Sequence, residues 1–558
     1  MESSAKNTDY FVHDVLIVGA GPCGLAVAAR LRERHPSALF TDAEQARYNW
    51  ISQNARKASI KNRRTGRIKP GHSSLSSKTH DDLSMLVLDN SGTEWMSKWR
   101  RLFNTFGISH LRSPMFFHPD PQDRDSLLAY AYENGRAEEL EEITGCVGKE
   151  ISKHRRKKER AGCRHLIKAK PIITIDERDR KDYFTPSTAM FHDFCDSCIE
   201  RYGLDKTHTI SHETVRDIDY GSLEDGVGPT AQNTFTIRTD HSVYHAKVVV
   251  LAIGAGTPII PKPFSPYIQE GACHAMNIQR HKGMLLDRSV TAKTDSGKVT
   301  NVLVIGGGLT SAQICDAIIK TGVVGKVWLF MRGPWKIKPF DVDLSWIAKF
   351  KNHQQASFWS ADTDEERVNY VKEARNGGSI TPRYAKILRY HMQANKLRVE
   401  TEARVKSAEY CTISKTWDIQ TEAPIEGLPR FDYVYFATGA HTDLGALGCL
   451  QTIQQRFPIQ TCGGLPVLTD QLKWSNELPL FITGKLATLR LGPGAGNLEG
   501  ARAGAERVAW AVQDLLQSET FDHGDSEDEQ EAEDERLRDR YVAGVGSMYA
   551  SLQDEDIE

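Results

Sequence analysis

The chain has 558 residues, enough for three to five domains' worth of polypeptide. Its 40% hydrophobic and 26% charged residues exclude collagen-like, coiled-coil and largely disordered classes. Lys+Arg number 71 against 73 Asp+Glu, so no basic excess points to nucleic acid, and ten cysteines are too sparse for a disulfide scaffold.

The N-terminus lacks a charged segment followed by a cleavable apolar stretch. The first apolar run, Val15 to Ala29, is too short for a membrane span and contains Gly19, Gly21, Pro22 and Gly24. A cytoplasmic protein with reduced thiols and no membrane span is expected.

Val15–Val18 reads as a strand, Gly19–Gly24 as a turn, Leu25–Arg34 as a helix and Ala38–Asp42 as the next strand. This is a βαβ unit with a G-x-G-x-x-G turn. Gly19 permits the tight turn, Gly21 lets backbone approach a pyrophosphate, and Gly24 lets helix pack on strand. Pro22 suits the first helical turn. The helix N-terminus offers free N–H groups to phosphates, and Asp42 is expected to accept hydrogen bonds from a ribose. Residues 149–160, KEISKHRRKKER, are strongly basic and read as a solvated loop or helix face, with polyanion contact or nuclear import as the alternative.

A second unit follows at Asn301–Ile305, Gly306-Gly-Gly308-Leu-Thr-Ser311, a helix from Ala312, and Lys326–Met331. Ser311 stands where the third glycine would, and is still small. The second strand runs into Arg332 rather than Asp or Glu. A guanidinium there would bind a 2′-phosphate, with Lys336 and Lys338 adding positive charge, so NADPH is preferred to NADH. Strand-like segments ending at Gly254, Gly439 and Gly484 suggest a first domain that the second interrupts. The expected division is a dinucleotide domain over 11–295, with a basic insertion at about 149–170. A second dinucleotide domain covers 296–425, the first is completed over 426–517, and a solvated acidic tail occupies 518–558, where DSEDEQEAEDE stands at 525–535. The fold class is α/β with two Rossmann-like domains.

IVGAGPCGLAVAARL resembles the FAD site of two-dinucleotide-binding flavoproteins, and the turns at Gly254 and Gly439 resemble that family's LATG-type strand ends. The resemblance runs over about 10–515 and adds FAD, which spacing alone does not separate from NAD. His110-Leu-Arg-Ser-Pro114, Phe184-Thr-Pro-Ser187 and Trp335-Lys-Ile-Lys-Pro-Phe-Asp341 are similar, in that order, to segments of the siderophore-type lysine and ornithine N-hydroxylases. Leu309 departs from the usual Gln, and ATGAH (437–441) from an ATGY-type segment. Gly492–Arg502, GPGAGNLEGAR, looks closer to oxidative-stress-induced growth inhibitor-type flavoproteins. No amino-acid specificity is therefore carried over.

The resemblance implies an NADPH-dependent FAD monooxygenase. A C4a-(hydro)peroxyflavin would oxygenate a small molecule at a nitrogen, sulfur or carbonyl centre, with O2 as co-substrate. It also implies that Gly484 and Asn497, at the last strand and helix, approach the flavin, where the helix dipole can stabilise negative charge. Asn497 as a simple helix cap is the alternative. His110, Arg112 and His118 share one loop that could reach the flavin, or serve structure. A dithiol reductase is disfavoured, because the one close pair, Cys195 and Cys198, lies deep in a predicted helix rather than at a helix start. A regulatory flavoprotein and a reductase serving a redox partner remain as alternatives. No Ser-His-Asp or metal-ligand constellation stands out, and catalytic residues beyond the cofactors are not identified.

Overall fold

The computed structural model describes residues 11–33, 36–40, 46, 59–61, 68–70, 83–146, 177–206, 209–222, 233–254, 256–265, 270–278, 285–347 and 351–518. Asp42, the basic run at 149–160 and the acidic run at 525–535 lie outside them.

Among the described residues, twelve strands build the two main sheets: β1 (Val12–Val18), β2 (Met85–Asp89), β3 (Ile210–His212), β4 (Val215–Ser222), β5 (Asn233–Thr239), β6 (Val243–Leu251), β7 (Ala272–His274), β8 (Asn301–Ile305), β9 (Lys326–Phe330), β10 (Leu397–Glu400), β11 (Tyr433–Phe436) and β12 (Leu480–Ile482). The helices that matter here are α1 (Pro22–Arg32), α2 (Thr188–Arg201), α3 (Leu309–Lys320), α4 (Asp364–Arg375), α5 (Pro382–Gln393) and α6 (Leu498–Ser518).

The first sheet has the order β3-β2-β1-β6-β5-β4, with β12 also on β6. β1 lies parallel to both β2 and β6, with Val18 opposite Leu88 on one side and Leu251 on the other. Val15, Leu16 and Ile17 are fully buried, as a strand covered on both faces requires. β6 pairs with β5 through its first half and with β12 through its last three residues. The chain thus leaves this sheet after β6 and returns to it more than two hundred residues later.

The second sheet has the order β7-β11-β8-β9-β10 and is parallel throughout. It contains strands on both sides of the expected 296–425 span. β7 was expected in the first part of the first domain and β11 in its second part, yet both pair within this sheet, as in Ile305 opposite Phe436. The crossing points therefore lie near 254–260 and 437–442. There the two connections run side by side. Ile259 N donates to Gly439 O at 3.0 Å and His441 N to Thr257 O at 2.9 Å. Gly256 permits the approach, since a Cβ there would sit 2.6 Å from His441 O.

A further correction concerns the first unit. Ala38 and Leu39 form a turn rather than a strand, and the partner of β1 on that side is β2. Fifty-two residues separate α1 from that strand, so a reading that seeks the nearest β-rich run finds the wrong one.

α6 closes the first domain by packing along α1. Ala501, Ala505, Val508, Ala509 and Val512 recur at helical spacing and are buried. Arg30, itself 2% exposed, makes a two-pronged pair with Glu506 at 2.7 and 2.9 Å, and Trp510 covers its guanidinium.

Candidate dinucleotide-binding sites

The first glycine turn has the form a pyrophosphate needs. Gly19 has φ +112°, a region unfavourable for side chains. A Cβ on Gly24 would lie 1.9 Å from the Gly19 carbonyl oxygen, so α1 meets β1 only through glycine. A Cβ on Gly21 would meet nothing within 4 Å. That open space lies in front of an α1 N-terminus that begins at Pro22 with no side-chain cap. Gly484 follows β12 into this turn, and a Cβ there would be 3.2 Å from Cys23 Sγ. Burial pushes the Cys23 thiol up to about 12.

Asp42 lies outside the described residues. A carboxylate nevertheless stands at the end of β2: Asp89 accepts Ala20 N at 2.7 Å and Ser91 N at 2.6 Å. The signal was present, as the MLVLD run at 85–89 ends in Asp, but distance in sequence from α1 hid it.

The second turn repeats the design. A Cβ on Gly306 would lie 2.4 Å from Ala437 O, at the end of β11, and one on Gly307 would meet nothing within 4 Å. Gly308 caps α3 without a side chain. Ser311 is buried and donates to Gly308 O at 2.6 Å, closing the first turn of α3. Arg332 is exposed immediately beyond β9. Lys336 and Lys338 are used elsewhere. Lys336 Nζ donates to Asn376 O and Oδ1 at 2.8 Å, while Lys338 Nζ meets Arg375 O at 3.1 Å and Asp343 at 2.6 Å. Lys338 was expected to bind coenzyme; its ammonium instead fastens its own segment to the end of α4.

Three more expected residues have structural partners. Arg112 is directed at the carbonyls of Lys338 and Pro339, each at 3.2 Å, at that of Phe340, and at Ser379 Oγ at 2.8 Å. All four contacts are made by its Nε and Nη2. Asn497 caps α6, its Oδ1 accepting Glu499 N at 3.0 Å and Gly500 N at 3.2 Å, while its amide faces Asp341 Oδ1 at 3.5 Å. His118 is fully buried, donates from Nε2 to Arg124 O at 2.8 Å, and has the Arg502 guanidinium 3.2 Å away. Burial and then Arg502 hold its imidazole far below the usual range. His110 faces Glu141 at 3.7 Å, lowered by burial and by Arg383.

Cys195 and Cys198 are buried in α2, and burial pushes both thiols up. They pack the core. Among the described residues no group of His, Cys, Asp and Glu could hold a metal ion, and no helix is long and apolar enough to cross a membrane.

Residues 181–441 match the family model for L-lysine 6-monooxygenase/L-ornithine 5-monooxygenase. No curated protein matches the chain. Among solved structures it is similar to the reduced ornithine hydroxylase of Pseudomonas aeruginosa, at 14% identity and TM-score 0.56, covering 91% of this chain and 100% of that one. It is similar to the Kutzneria sp. 744 ornithine N-hydroxylase with reduced FAD, NADP+ and L-ornithine, at 14% identity, TM-score 0.57 and the same coverage. The FAD-bound cadaverine monooxygenase of Erwinia amylovora matches at 14% identity and TM-score 0.54, over 90% of this chain and 94% of that one. The chain has the two-dinucleotide flavoprotein fold of the flavin-dependent monooxygenases, and over 181–441 it matches the lysine/ornithine monooxygenase family.

Proposed function

We propose that the protein is an NADPH-dependent, FAD-containing monooxygenase that oxygenates a small molecule, with O2 as co-substrate. The observation that carries this reading is the pair of glycine turns between strand and helix, one on each sheet: a Cβ on Gly21 would meet nothing within 4 Å and one on Gly308 only Gly378 Cα at 3.9 Å, and the second turn lies within the family-matched residues 181–441. Gly19, Gly21 and Gly24 with the α1 N-terminus would hold FAD. Gly306, Gly308, Ser311 and the α3 N-terminus would hold NADPH, with Arg332 at its 2′-phosphate.

The flavin supplies the redox and oxygen chemistry when bound. The chain's own residues bind, orient and exclude water. Asp89 holds the first turn in shape through Ala20 N. Asp341 joins the second domain to the start of α6, since it meets both Asn497 and Arg375, and Arg375 donates to Pro493 O at 3.0 Å. The buried Cys195–Cys198 pair argues against dithiol chemistry.

The solved relatives are named for ornithine and cadaverine, so terminal primary amines head the substrate panel, followed by thioethers and ketones. The test is NADPH oxidation and O2 consumption with that panel, with product mass measured. A mass gain of one oxygen with substrate-dependent NADPH use supports the reading. Anaerobic electron transfer to a protein acceptor with no oxygenated product would replace it with a reductase.

A further inference from the structure

The two domains are joined by the paired connections at 254–260 and 437–442, held by a few backbone hydrogen bonds. The 340–374 stretch adds a second attachment, since Phe340, Val342, Trp346, Phe358 and Ala374 share one buried apolar cluster with β1 and α1. A third, polar attachment lies beside it.

Arg112 belongs to the first domain's His110–Pro114 segment. The carbonyls of Lys338, Pro339 and Phe340, three successive residues of the second domain, converge on its guanidinium, and Ser379 Oγ adds a fourth acceptor. Arg112 is half-buried to buried and carries a charge in every accessible state, although burial lowers it to about 10. The 336–338 strip also pairs with Ile380, with Lys338 N on Ile380 O at 3.0 Å and Ile380 N on Lys336 O at 2.9 Å. Two residues back, Gly378 lies against the second glycine turn. A Cβ there would be 3.0 Å from Gly307 C and O and from Gly308 N. A continuous path therefore runs from Arg112 through Ser379 and Gly378 to the turn that would hold the coenzyme pyrophosphate. A reciprocal contact lies beside it, where Arg383 of α5 reaches Glu141 at 2.6 Å and Ser109 Oγ at 3.0 Å in the first domain.

We infer that Arg112 is a positioning residue that sets the second domain's angle over the first, and with it the alignment of the two bound dinucleotides for hydride transfer. This rests on the FAD/NADPH reading above. Its bonds run to 338–340 and Ser379, and it acts through these and Gly378. Misplacing reacting groups by about 1 Å costs on the order of a hundredfold in rate, so an angular latch is enough to govern the step.

The test has two arms. In the first, FAD-loaded Arg112→Gln, Arg112→Lys and wild type are mixed anaerobically with NADPH and flavin reduction is followed. Arg112→Gln should lower the limiting rate by roughly 10- to 100-fold, with half-saturating NADPH changed by less than about threefold. Arg112→Lys should fall between. In the second arm, amide exchange is measured on cofactor-free protein. The amides of Lys338 and Ile380 should exchange at least about tenfold faster in Arg112→Gln, while those of β1 and β8 stay unchanged. An unchanged limiting rate overturns the inference. So does a rise in half-saturating NADPH alone, which would make Arg112 a coenzyme contact, or faster exchange spreading through both sheets, which would make it a general fold residue. If Arg112→Gln does not fold, Ser379→Ala removes one of the four bonds and must show the same pattern, reduced in size; its absence overturns the inference equally. Wild type that NADPH cannot reduce would refute the functional reading instead, and the exchange arm would still decide whether Arg112 latches the domains.

Discussion

The backbone N–H of Ala20, inside the first glycine turn, donates to the Asp89 carboxylate at the end of β2, 2.7 Å away. The same carboxylate's other oxygen accepts Ser91 N. One side chain thus ties the phosphate-facing turn to the neighbouring strand.

Asp89→Ala should destabilise the fold by about 1–3 kcal/mol, because the Ala20 and Ser91 donors lose a charged acceptor. FAD content should fall with it. Asp89→Asn keeps one acceptor oxygen and should retain more of both. Urea unfolding, together with the flavin-to-protein absorbance ratio, separates the three proteins; equal stability in all of them would remove Asp89 from the turn.

Gly21 and Gly24 should fail differently. Gly21 is extended, with φ -79° and ψ -171°, and a Cβ there meets no protein atom. Gly21→Val should fold, melt like cofactor-free wild type, and lack the yellow flavin. Gly24→Ala forces a methyl to 1.9 Å from a carbonyl oxygen. It should cost about 3 kcal/mol or more and yield little soluble protein. A colourless Gly24→Ala of wild-type stability, or a yellow Gly21→Val, would contradict the assignment.

Arg332→Ala should raise the KM for NADPH and leave that for NADH nearly unchanged. A hydrogen bond to a charged group is worth about 1.5–3 kcal/mol, or roughly 10- to 150-fold. The upper end is expected, since Lys336 and Lys338 are bound to the 374–376 carbonyls and Asp343 and do not share the phosphate. Steady-state kinetics with both coenzymes checks it; equal losses would assign Arg332 to the fold.

His118 gives the pH dependence a sign. Its folded pKa is depressed, first by burial and then by Arg502, whereas the unfolded imidazole titrates near 6.5. Below that pH the unfolded chain takes up a proton that the folded chain refuses. Stability contributed by the neutral ring is therefore full above about 6.5 and is lost as pH falls, by up to about 1.4 kcal/mol per unit. His118→Gln should flatten the slope of unfolding free energy between about pH 6 and 4.5. A slope identical to wild type's would mean that the ring is protonated in the fold.

The local chemistry was legible in the sequence. The strand, glycine turn and helix at 15–32 and at 301–320 follow from residue order alone, because turn geometry, helix start and close packing are decided by neighbours a few positions apart. Arg332 at a strand end was legible for the same reason. Partnerships across long separations were not. The strand beside β1 was misread as 38–42 because β2 lies four dozen residues further on, and strand pairing carries no local mark of its partner. β11 was placed in the first sheet because its apolar run fits either, and only the register with β8 decides. Arg112, Lys338 and Asn497 were read as cofactor contacts, with a structural role for Arg112 and a helix cap for Asn497 as alternatives; the acceptors of Arg112 lie more than two hundred positions away, and those of Lys338 on 374–375 some three dozen away, so only the fold brings them together. Sequence determined which turns can hold a phosphate; packing decided which charged groups remain to meet one, since a buried polar group takes the nearest acceptor that the fold brings to it.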